Sequence, residues 1–161
     1  MQQSSKNEQE PQLSLLEQAE SYLKEFGFPY SYLENQPTIQ CPLATTSSNY
    51  TVYFHMNKLE TVLTLFIRLH LKVNDRRKLM VVDLLNRINR RLLFGNMFLD
   101  NEDGEICLAT SHLSCTKQMT NEEVKILFMT GCNTIDDLWG PINMVAFGDM
   151  EPALAIANYK A

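Results

Sequence analysis

His112 and Cys115 are the first residues that could carry chemistry, set three apart as His-Leu-Ser-Cys. An imidazole and a thiolate at that spacing make half of a tetrahedral zinc site, which needs four such ligands. No second pair accompanies them, and Cys41, Cys107, Cys115 and Cys132 form no Cys-x-x-Cys. No metal and no cofactor is therefore expected. The same groups could form a thiol nucleophile with an imidazole base. Cys107, however, sits inside an apolar strand-like run, where burial keeps a thiol protonated and inert. No mechanism-bearing motif is present, so the chain is expected not to be an enzyme. The rival reading is a small-molecule-binding domain or an enzyme with a pocket built from Cys107, His112 and Cys115. His55 is expected across from Glu60 as an ordinary surface pair.

Charge offers a different chemistry. The chain carries a net charge of −5 with a pI near 5.2, yet Arg76, Arg77, Lys78, Arg87, Arg90 and Arg91 cluster in one segment. Arg87, Arg90 and Arg91 would form a basic helix face, for an acidic partner or a second copy of the chain. The plainer reading is a solvated face with cations at the negative end of the helix dipole. Acidity overall, and no aromatics among the basic residues, argue against nucleic acid.

The elements that must position these groups follow from periodicity. Val81, Leu84, Leu85, Ile88 and Leu92 form one helical stripe, and Gly95 suits the helix exit. A hairpin follows, turning over Asn101–Gly104. It pairs Leu99 with Ile106, Met97 with Leu108 and Phe98 with Cys107. Apolar residues on both faces predict a largely covered hairpin.

Earlier in the chain, residues 1–12 are Gln-, Ser- and Glu-rich and read as a disordered tail, before one domain over 13–161. Leu15 to Phe26 reads as a helix, with Ser14 and Glu17 as a capping box and Gly27 as its stop. Weak strands are expected at Ser31–Glu34 and Thr38–Pro42, held to edges by Pro37 and Pro42. Tyr50–Met56 and Thr61–Val73 alternate at period two around a tight loop near Asn57-Lys58. Leu63, Leu65, Ile67, Leu69 and Leu71 make the inward face. Register must pair odd with even positions, Val52 with Leu63 or Leu65. That choice sets Tyr53 beside Val62 or Thr64, with Phe66 nearby. Tyr53, Val62 and Phe66 are then an apolar cluster on a face that should be polar, and are the candidate partner-binding residues.

Thr120 and Glu123 open a last long helix, with Gly131 as a weak point or close contact and Gly140-Pro141 as an end or kink. Ile142–Phe147 and Pro152–Tyr159 read as a helical cover. Met80, Met97, Met119, Met129, Met144 and Met150 read as core filling. No apolar run is long enough to span a bilayer and no apolar stretch opens the chain, so a cytoplasmic protein is expected.

The stretch Leu84–Leu108, LLNRINRRLLFGNMFLDNEDGEICL, resembles the helix-plus-hairpin core of the YbjN domain family. Leu-Asn-x-Ile-Asn, an Arg-rich helix end, an aromatic-Gly step and an acidic-Gly turn carry the likeness, which extends over roughly Leu13 to Phe147. The family is similar in fold to type III secretion chaperones. The resemblance implies an α+β fold with an antiparallel sheet in the order α-β-β-β-α-β-β-α. It also implies a homodimer using the helix after the strands, which binds another polypeptide or modulates signalling. The N-terminal tail and the long Thr61–Val73 strand have no counterpart in that pattern.

Overall fold

The computed structural model describes residues 13–157; the expected tail over 1–12 and the last residues, 158–161, lie outside the described residues. Helix α1 (Leu15–Glu25) begins at the foreseen capping box, in which Ser14 and Glu17 satisfy each other's backbone N–H groups. Strands β1 (Ser31–Tyr32), β2 (Thr38–Ala44), β3 (Asn49–Met56) and β4 (Val62–Lys72) come next. Helix α2 (Lys78–Asn89), strands β5 (Asn96–Leu99) and β6 (Glu105–Leu113), helix α3 (Asn121–Ala146) and the short α4 (Pro152–Ala155) complete the chain. The expected order holds; the weak strand read at Ser31–Glu34 is reduced to two residues and the helical cover read at Pro152–Tyr159 to one turn at Pro152–Ala155.

One antiparallel sheet runs β1-β2-β3-β4-β6-β5. Its inward face is the core: Val52, Phe54, Leu63, Leu65 and Ile67 are fully buried. α3 lies against the middle of that face, and Gly131 is what lets it approach. A Cβ there would stand 2.6 Å from Leu65 Cδ2 and 2.9 Å from Ile67 Cδ1. Phe128, one turn earlier, stacks on Phe54 and meets Tyr22 of α1 edge-on. The buried Gln18 of α1 accepts from the Met119 N–H at the approach to α3, so its amide is not left unpaired.

Several expectations are corrected. α3 does not stop at Gly140-Pro141 but runs on to Ala146. Proline removes a single N–H, and the buried side chains of Ile142, Val145 and Ala146 hold the last turns. α2 ends at Asn89, so Gly95 is not its exit; Gly95 instead presses on the Ala109 backbone with φ +74°. Pro42 does lie on an exposed edge, because β1 reaches only Ile39 and Gln40 of β2. Met97 and Met119 fill core, whereas Met129, Met144 and Met150 are exposed.

Candidate partner-binding surface

The hairpin of β3 and β4 pairs Val52 with Ile67 and Tyr53 with Phe66. The odd sum was foreseen; the offset was not. The loop is five residues, 57–61, rather than a tight turn. The Asn57 side chain accepts from the Thr61 and Val62 N–H groups, and Glu60 takes a positive φ of 56°. Tyr53 and Phe66 are therefore direct cross-strand neighbours. Val62 is not beside Tyr53: it sits at the far end of β4, against Leu113.

The outer face reads in rows across the strands. Gln40, Tyr53, Phe66, Ala109 and Asn96 share one row, and Thr51, Arg68, Cys107 and Phe98 the next. Arg68 closes the gap between them. Its Nη2 donates to the Tyr53 hydroxyl at 2.6 Å, and its guanidinium stands 5.3 Å from that ring's centre. Glu105 holds the other side of Arg68 at 3.4 Å. Beyond Tyr53 and Phe66 lies a polar row: His55 shares a hydrogen bond with Thr38, and Thr64 with Ser111. His55 thus pairs with Thr38 and not with Glu60. The face is an aromatic and aliphatic strip between polar rims.

Among the described residues no helix lies over this strip. Tyr53, Val62 and Phe66 stay half-buried, while their inward neighbours are fully buried. The β5–β6 hairpin has the foreseen register, Phe98 with Cys107 included. It is not covered on both sides: Phe98 remains 38% exposed on the outer face.

The other candidates are not brought together. Alternation puts Cys107 on the outer face of β6 and His112 on the inner, so one pocket cannot hold both. Burial, with Glu105 next, pushes the Cys107 thiol up to about 11, the reverse of an activated nucleophile. Burial also raises Cys41 to about 12 and Cys132 to about 11. Cys115 is exposed beyond the strand. Among the described residues no three His, Cys, Asp or Glu side chains stand close enough to share a metal ion.

The basic residues do converge. Arg87, Arg90 and Arg91 line one shallow depression. Arg87 is held by Asp83 at 3.0 Å, and Arg91 donates to the Ile156 carbonyl at 2.5 Å. Two of the three thus already serve the fold, and Arg90 sits at the helix C-cap rather than inside the last turn.

Sequence reasoning missed a groove between β6 and α3, of about 240 Å³, lined by Leu108, Thr110, His112, Ile126 and Leu127 among others. It follows from a length mismatch seen only in the folded chain, a four-residue strand before the turn and a nine-residue strand after it.

An antiparallel sheet with its helices packed toward one face, and an apolar strip that no described helix covers on the other, defines an α+β protein. Residues 16–138 match the model of the YbjN family, described as "Putative bacterial sensory transduction regulator", and the chain belongs to that family. The crystal structure of YbjN, described as "a putative transcription regulator from E. coli", is similar at TM-score 0.57 and 14% identity, over 75% of this chain and 85% of that one. The HopA1–SchA chaperone–effector complex gives TM-score 0.48 and 13% identity, over 76% and 90%. No curated protein matches the chain. Among the described residues no helix is long and apolar enough to cross a membrane.

Proposed function

We propose that the protein is a non-enzymatic binding module of the cytoplasm that holds a partner polypeptide on the outer face of its sheet, with Tyr53 and Phe66 at the centre. The observation that carries this is the uncovered pair itself. A sheet face that needs no covering is normally polar. This one places two aromatic rings side by side, flanked by Ala109, Cys107 and Phe98 and bounded by polar rows. An apolar centre with a polar rim is the anatomy of a protein interface. Membership of a family described as sensory transduction regulators supports a regulatory partner. Val62 lies beyond the polar row of Thr64 and Ser111, beside Leu113, as a separate secondary contact.

The module acts as a homodimer through α2 and the turn that follows it, where exposed Leu79 and the basic Arg87, Arg90 and Arg91 complement an otherwise acidic chain. Light scattering across the micromolar range tests this arm; a monomer throughout removes it. Affinity co-purification from the native cell, with mass spectrometry, tests the main reading. One stoichiometric polypeptide is expected, and its recovery must depend on Tyr53 and Phe66.

A further inference from the structure

The β6 strand outruns its neighbour. β5 pairs with Ile106 to Ala109 and ends at Asn96, whereas β6 continues to Leu113. The direction of the unpaired backbone groups can be worked out. The Ser114 N–H donates to the Thr61 carbonyl, in step with the β4 ladder, so the even residues of β6 turn their N–H and C=O groups toward β4. The Asp100 N–H donates to the Glu105 carbonyl, in step with the β5 ladder, so the odd residues turn theirs the other way. Cys107 and Ala109 spend those groups on β5. Ser111 and Leu113 face the open edge, and the chain that would have continued the ladder bends away at Phe94. Among the described residues no backbone group meets them.

Two donors and two acceptors in line are a template for one more strand. The groove lies beside this template on the inward side. Cross-strand residues share a face, so an added residue opposite His112 points its side chain into that groove. The volume of about 240 Å³ suits one large apolar side chain, and exposed Ile126 and Phe94 stand at its mouth. The slot is closed at one end by Phe94-Gly95 and at the other by the turn at Ser114. It admits a short linear segment. Residues 1–12 are a poor match for it: they hold no β-branched residue, and Met1 is their one large apolar residue.

We propose that residues 110–113 of β6 are a strand-addition site, where a short extended peptide of a partner protein pairs with Ser111 and Leu113 and seats one large apolar side chain between β6 and α3. The site is separate from the outer sheet face: its specificity pocket is on the inward side, and it stands or falls without Phe66.

The test is selection of a phage-displayed library of random linear heptapeptides on the full chain, followed by titration of the enriched peptide. Enriched peptides should carry one large apolar residue between β-branched neighbours. Ser111→Pro deletes an edge-facing N–H and leaves the β4 ladder intact, and Thr130→Trp fills the groove from the exposed side of α3. Each should weaken the peptide about tenfold or more, the scale of one lost hydrogen bond with its strand contacts. Phe66→Asp should bind it as the parent does. No enrichment, or a peptide indifferent to both Ser111→Pro and Thr130→Trp, overturns the proposal. So does a dimer that Ser111→Pro converts to monomer with no peptide selected, because the edge then pairs two copies of this chain.

Discussion

The two faces of β4 are made by one strand and behave as different materials. Leu63, Leu65 and Ile67 are sealed under α1 and α3, whereas Thr64, Phe66 and Arg68, which alternate with them, keep contact with solvent. The inward face is uniform because it has one task, to fit helices that approach as closely as Gly131 allows. The outward face is mixed: an aromatic pair, a guanidinium tied to a tyrosine hydroxyl, and histidines satisfied by threonines. A face built only for solubility would not carry that pair. On the proposed function the contrast would separate stability from binding residue by residue, and it can be broken at adjacent positions.

Ile67→Ala should give the largest loss of stability, about 2–5 kcal/mol, from lost burial and a cavity beneath α3. Phe66→Ala, one residue away, should cost under about 1 kcal/mol, because a part-exposed side chain leaves no sealed cavity. Chemical denaturation of both variants measures the difference; equal losses would erase the distinction between the faces. Gly131→Val comes next, at roughly 1–3 kcal/mol, since the added atoms collide with Leu65 and Ile67.

A smaller effect concerns the helices that close the inward face. α1 and α3 both open on capping boxes, and hydrogen bonds from Ser14 and Thr120 hold the Glu17 and Glu123 carboxyls below their ordinary value of 4.5. A carboxyl whose folded value is lowered adds stability above its unfolded value, and that stability is lost as pH falls through the folded one. Thermal stability should therefore decline as pH drops below about 4.5 and on through those lowered values. The double variant Glu17→Gln, Glu123→Gln should flatten that part of the profile. Least disruptive is thiol mapping. With Cys41 and Cys132 buried and Cys107 raised to about 11, a disulfide reagent near pH 8 should label Cys115 first. Rapid labelling of Cys107 would revive the nucleophile reading.

Legibility in the sequence tracked how locally each feature is determined. The β5–β6 register was readable because the four-residue turn Asn101–Gly104 fixes it within the hairpin. The β3–β4 register was not: Asn57 marks a turn by type, but the five-residue length rests on its side chain reaching the Thr61 N–H and on a left-handed Glu60, which no turn preference marks. The different offset sets Val62 away from Tyr53 and brings Phe66 beside it, so the three candidates share the outward face but do not form one cluster. Arg68 over Tyr53 was hidden for the same reason. Pro141 was read as a breaker because local propensity was weighed alone, while burial of Ile142 and Val145 decides the outcome. The overhang of β6 needed strand lengths and hydrogen-bond parity together, and periodicity supplies neither.

The central claim is that the outer strip binds a partner and does not serve the core. The direct measurement is the amount of the co-purifying polypeptide recovered on Phe66→Asp, with a thermal melt of the same sample. The account predicts that recovery is lost while a cooperative melt stays within about 2–4 °C of the parent, the shift for about 1 kcal/mol in a domain of this size. Full recovery on Phe66→Asp, or a chain that no longer folds, would contradict it.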